Sequence, residues 1–162
     1  VELLQTIEWL IEAEEKGLTK HIGLSNFTIS QLKEVESVIP LNLLSTNQVE
    51  VHPYLQNRAL REFCRHKQLH VTGYMPFAVG KVLTDPVVQQ IADNHNASPA
   101  EVAIAWLHKH AVAPIPSSTK VSNMQRNLQG LNLELSGNDM TRIGALNNND
   151  RQANPPFSPQ WD

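Results

Sequence analysis

The chain has 162 residues, of which 41% are hydrophobic and 18% charged, and a net charge of −3. That is enough for one domain with a real core. The absence of a basic block argues against a nucleic-acid partner, and no apolar run is long enough to span a bilayer. The start, Val1-Glu2-Leu3-Leu4, does not pair a basic region with an apolar stretch as a signal peptide does. The single cysteine, Cys64, cannot form an internal disulfide. These features predict a cytoplasmic home and a packing role for Cys64. The first residue is not Met, which suggests a processed or truncated product.

Helix and strand patterns alternate along the chain. Leu3, Leu4, Ile7, Leu10 and Ile11 recur at helical spacing within residues 1–16, and Gly17 ends that helix. A short apolar run, Ile22-Gly23-Leu24, is followed by Ser25-Asn26. Thr28-Ile29-Ser30-Gln31 reads as a capping box, and Pro40 stops the helix it opens. Residues 46–51 predict a strand broken by His52-Pro53-Tyr54, and residues 57–67 predict a helix with Leu60, Phe63 and Cys64 on one stripe. His70 to Tyr74 predicts a strand, and Met75 to Lys81 a loop. A helix opens at Asp85-Pro86 and runs to about Asn94. Ser98-Pro99-Ala100-Glu101 starts another, which carries Val102, Ala105 and Trp106. Val112 to Ile115 predicts the last strand, followed by helices near Val121–Leu128 and from Ser136 to about Leu146. Residues 147–162, rich in Asn and Pro, predict an irregular tail.

Four strands separated by helices should run parallel within one α/β domain. They fit either a small open sheet or part of a (β/α)₈ barrel, which carries eight strands in roughly 250 residues. In both folds chemistry gathers at the carboxyl ends of the strands. Here those ends read Ser25-Asn26, Gln48 to His52, Tyr74, and Ser117 to Lys120.

Three ordered segments make the pattern specific: Gly23-Leu24-Ser25-Asn26-Phe27, Asn47-Gln48-Val49-Glu50-Val51-His52-Pro53-Tyr54, and Ile115-Pro116-Ser117-Ser118-Thr119-Lys120. In these the chain resembles the aldo-keto reductases, in the family's order and spacing from about Lys16 onward. Pro53-Tyr54-Leu55-Gln56-Asn57-Arg58 and Pro159-Gln160-Trp161-Asp162 are similar to the bacterial 2,5-diketo-D-gluconate reductases. The resemblance implies the C-terminal half of a (β/α)₈ TIM barrel, strands five to eight with their helices, from a reductase of small aldehydes and ketones that uses NADPH (NADP). Diketogluconate and methylglyoxal are candidate substrates.

By the same resemblance, Ser25, Asn26 and Gln48 hold the nicotinamide carboxamide, whose donors and acceptor need side chains with both kinds of group. Tyr74 stacks on the nicotinamide ring. Ser117, Ser118, Thr119 and Lys120 hold the adenosine 2′-phosphate, and Asn127 meets the adenine edge. Many members have Lys where this chain has Ser117 and Arg where it has Asn123, so weaker NADPH binding or a weaker preference over NADH is expected, with Arg126 a possible compensation. Trp161 could line the substrate pocket. His52 matches a position other than the family's catalytic His and is read as structural, and Glu50 has no assigned role.

The family's catalytic Tyr, Lys, Asp and His fall on the first four strands, so no catalytic residue is assigned, and the chain alone is expected to be inactive. The histidines show no zinc-ligand spacing, so no metal is expected. An open half barrel exposes two edges, which predicts pairing with the missing N-terminal half or self-association. A non-catalytic dinucleotide-binding module and a purely structural half barrel are the alternatives.

Overall fold

The computed structural model describes residues 2–162, so Val1 lies outside the described residues. Seven α-helices and four strands alternate in the order α1 (Leu3–Glu15), β1 (Leu24–Ser25), α2 (Ile29–Val35), β2 (Asn47–Glu50), α3 (Arg58–His66), β3 (Val71–Tyr74), α4 (Pro86–Asn94), α5 (Pro99–Lys109), β4 (Val112–Pro114), α6 (Val121–Gln129) and α7 (Gly137–Gly144). Short 3₁₀ turns occupy Leu41–Leu43, Ala78–Thr84 and Gly130–Asn132. The strand order is β1-β2-β3-β4. β1 and β2 are parallel, with Leu24 opposite Asn47 and Ser25 opposite Gln48. The chain is thus α/β with a parallel sheet, as the alternation of patterns predicts.

Local signals account for most boundaries. Gly17 takes φ +69° and closes α1 with Leu18 N–H on the Ala13 carbonyl and Gly17 N–H on that of Glu14, a paired closure that a left-handed residue permits. Thr28 and Ser98 form the expected capping boxes with Gln31 and Glu101. Asp85 caps α4 by accepting from the N–H groups of Val87 and Val88 at 2.8 and 3.1 Å. The expected loop 75–81 proves partly ordered: Ala78–Thr84 makes 3₁₀ turns, kinked where Val79 and Gly80 take positive φ.

The described residues form two compact units. The first runs up to Val49 and adds Asn57–Val71 and Pro155–Asp162. Its core gathers Ile7, Leu24, Leu32, Val35, Leu41, Val49, Leu60 and Cys64, all buried. Burial, and then the Asp162 charge, push the Cys64 thiol up to about 11, which suits an inert packing residue.

The second unit comprises Glu50–Gln56 and Thr72–Asn154. At its centre lies α5, where six successive residues from Val102 to Leu107 are buried, a helix apolar all round rather than on one stripe. Gly73 in β3 is required by space: a Cβ there would sit 2.8 Å from Val112 Cγ1. Ser136 and Asp139 cap α7 reciprocally, and Asp139 Oδ2 also lies 2.9 Å from His95 Nε2 at the end of α4. Burial raises the Asp139 carboxyl, but the Ser136 hydroxyl and His95 outweigh it and hold the group below 3.8.

Replacing Asp139 with Ala removes a cap and the His95 contact together. The expected cost is about 1–2 kcal/mol, read as a lower midpoint in urea unfolding followed by circular dichroism. The loss should be full at pH 7 and shrink as the pH falls through the depressed pKa of the native Asp139.

Candidate functional site

In the first unit, parallel pairing of β1 and β2 brings three of the expected cofactor residues together. Ser25 Oγ donates to the Gln48 carbonyl at 3.1 Å, and the Asn26 N–H donates to the same carbonyl at 2.9 Å. Asn26 takes φ +61°, a conformation that Asn tolerates better than most residues. The turn is fixed by Asn47, which is fully buried. Its side chain accepts from Phe27 N–H at 3.3 Å and donates to the Phe27 carbonyl at 2.9 Å. Sequence reasoning did not single out Asn47; its signal was its place at the head of the second motif. Trp161 belongs to this unit and is half-buried. The neighbouring Asp162 carboxylate accepts from Ile29 N–H at the start of α2.

In the second unit, Tyr74 ends β3 half-buried, and its carbonyl accepts from Val51 N–H at 3.3 Å. The loop after β4 opens onto a cleft of about 530 Å³. Ser117 and Ser118 line it, as do Ser122, Asn123, Arg126 and Asn127 from α6, with Phe77, Leu83, Ser98, Pro99 and Ala100 completing the wall. Of the expected phosphate loop, Ser117 and Ser118 reach this lining. Thr119 and Lys120 are exposed and are not part of it. Lys120 instead precedes α6, its N–H donating to Ser118 Oγ at 3.1 Å.

α6 presents two characters. Ser122, Asn123, Arg126 and Asn127 repeat at helical spacing along the first cleft. Met124, Asn127 and Leu128 line a second cleft of about 450 Å³ with Ile104, His108, Ala113, Pro114, Pro116 and Leu131. No residue of α6 is buried, and Val121 and Leu128 are 68% and 67% exposed.

Beside these lies a buried polar cluster that the sequence did not reveal. Glu50 and His52 are fully buried, with His52 Nε2 2.8 Å from Glu50 Oε1. His52 Nδ1 accepts from Leu55 N–H at 3.2 Å, so the imidazole proton sits on Nε2 and is donated to the carboxylate. The other donors to Glu50 are the backbone N–H groups of Gln152 and Ala153, at 2.7 and 2.8 Å. His52 is thereby structural, as expected, and Glu50 gains a role as the anchor of the tail. Burial raises the Glu50 carboxyl, but the hydrogen bonds from His52, Gln152 and Ala153 outweigh it and hold the group below its ordinary 4.5.

Tyr54 offers no general acid. Its hydroxyl donates to Asp85 Oδ2 at 2.7 Å, and burial followed by that bond raises its pKa further above the ordinary 10.0.

Comparison with known proteins gives these features a context. The profile of the aldo/keto reductase family matches residues 1–148. Methylglyoxal reductase DkgB of Escherichia coli O157:H7 is 41% identical over 163 residues, covering all of this chain and 61% of that protein. The crystal structure of a protein assigned as a 2,5-diketo-D-gluconic acid reductase B superposes with a TM-score of 0.94 at 30% identity, over 100% of this chain and 58% of the other. An aldo-keto reductase complexed with NADPH, AKR2E5, shares the fold at a TM-score of 0.91 and 23% identity, over 100% and 55% of the two chains. The chain therefore spans about three-fifths of the length of these relatives.

Replacing Glu50 with Gln puts an amide N–H against a backbone donor and should cost about 3 kcal/mol at pH 7. A carboxyl depressed in the folded state stabilises fully above its unfolded value of 4.5 and loses that contribution as pH falls through the lower native value. Thermal unfolding between pH 3 and pH 7 should show the two proteins separated at pH 7 and converging below pH 4.5.

Proposed function

Because the chain belongs to the aldo/keto reductase family, we propose that it is the C-terminal half of an NADPH-dependent carbonyl reductase and carries much of the cofactor site. The observation that carries this reading is the cleft of about 530 Å³, within the size range of small-ligand pockets, where serine hydroxyls, two asparagines and one guanidinium stand beside Phe77, Leu83, Pro99 and Ala100, with no carboxylate. Such a lining suits a phosphorylated nucleoside. In this reading Ser117, Ser118, Thr119 and Lys120 border the phosphate, and Asn127 meets the adenine edge. In the first unit, Ser25, Asn26 and Gln48 supply the mixed donors and acceptors that a carboxamide needs. Tyr74 provides a flat face for an aromatic ring.

The nicotinamide, when bound, supplies hydride; the chain's residues bind and orient it. Proton donation to the substrate oxygen falls to groups of the family's barrel that lie outside the part matched here. Methylglyoxal or a diketogluconate is the substrate class suggested by the names of the relatives, with Trp161 a candidate wall of the substrate pocket. The exposed apolar side chains Val121, Met124 and Leu128 support a further reading: the chain pairs with additional polypeptide, either the rest of the barrel or another copy of itself.

Fluorescence titration of the 162-residue chain should show saturable NADPH binding with no methylglyoxal-dependent NADPH oxidation in the same sample. With Ser117 and Asn123 where many members carry cations, affinity for NADPH over NADH should be modest. Turnover by the isolated chain would contradict the proposed division of labour, and an absence of binding would remove the cofactor assignment.

A further inference from the structure

The segment that follows β3 is held in a conformation its own residues do not favour. Met75, Ala78 and Val79 take φ of +50°, +46° and +56°, and Gly80 takes +92°. Three of these four carry a Cβ, for which the left-handed region is costly. Val79 is 75% exposed, so packing of its side chain does not offset that cost. Ala78 and Val82 are fully buried and anchor the segment from within. Further restraints come from elsewhere in the same unit. The Tyr54 hydroxyl, which donates to Asp85 Oδ2 at 2.7 Å, lies 3.4 Å from the Lys81 carbonyl, and Lys81 Nζ donates to Asp150 Oδ2 at 2.7 Å.

These bonds close a circuit. Tyr54 accepts the Asp150 N–H at its own carbonyl and reaches Asp85 through its hydroxyl, while the Lys81–Asp150 ion pair joins the segment to the tail directly. Two and three residues beyond Asp150, the Gln152 and Ala153 N–H groups are fixed on the Glu50 carboxylate. We propose that the Lys81–Asp150 pair is a latch through which the strained segment 75–84 and the tail 147–154 are held and released together. The pair suits that role because it is partly open to water, with side-chain exposures of 52% and 35%, so it can break without uncovering a buried charge. Glu50 cannot serve in the same way, since its carboxylate is fully buried. Segment 75–84 continues from Tyr74, read above as the support of the cofactor ring. The functional consequence of the latch, a tail whose order follows cofactor binding, rests on that reading.

Amide hydrogen exchange of the 162-residue chain, read against the core amides of α5, tests the latch without a ligand. Lys81→Met should speed exchange about two- to fivefold at Gly80 and Val82, and by a similar factor at Gln152 and Ala153, the range open to one ion pair of this exposure. Exchanging the two charges, Lys81→Glu with Asp150→Lys, should return both sets toward the parent values. Faster exchange in the segment alone, in the tail alone or in neither overturns the proposal, and so does a charge exchange that restores neither set. Reference to α5 separates local release from loss of fold, because loss of fold would speed the α5 amides as well. Saturating NADPH should then protect both sets in the parent chain and only Gly80 and Val82 in Lys81→Met. Protection of both sets in Lys81→Met overturns the coupling. If the parent binds no NADPH, the cofactor reading fails, while exchange in the ligand-free chain still decides the latch.

Discussion

A carboxylate without access to water must be met by donors, and Glu50 is such a group. It sits at the carboxyl end of β2 and takes one N–H from His52 and two from the backbone of Gln152 and Ala153. That requirement reaches far along the chain. Tyr54 accepts from the N–H groups of Asn148 and Asp150, and Gln56 donates to the carbonyls of Ile143 and Gly144. The segment Glu50–Gln56 therefore fixes the course of a tail that has no regular structure of its own. Side-chain to backbone bonds do here what a ladder does in a sheet.

The same economy of means marks α6. A helix with no buried residue has little reason of its own to stay in place, and its two faces explain why it is retained. Serine, asparagine and arginine side chains line one cleft, while methionine and leucine line another that Asn127 also borders. In the proposed reading the first face meets a nucleotide and the second meets further protein.

What the sequence reveals is what is local. The capping boxes at Thr28 and Ser98, the glycine at the end of α1 and the alternation of strands with helices all depend on residues within a turn or two of each other. What it conceals is long-range. Glu50 and Gln152 are 102 residues apart, and Asn47 reaches across 20 residues to Phe27, so neither bond leaves a periodic trace. The six consecutive buried residues of α5 look like a one-faced pattern until the elements around it are known. The candidate site shows the same limit. The motifs named Ser25, Asn26, Gln48 and Ser117 to Lys120, but only the fold shows that Arg126 lines the cleft and that Lys120 is not among its lining residues.

The central proposal is that the chain binds NADPH through residues of its strand-end motifs. Amide chemical-shift mapping of the labelled chain during an NADPH titration tests it most directly. The account predicts saturable shifts at Ser25, Asn26 and Gln48 together with Ser117, Ser118, Arg126 and Asn127. Shifts confined to the second cleft around Pro114, Met124 and Leu131, or no shifts at any of these positions, would contradict it.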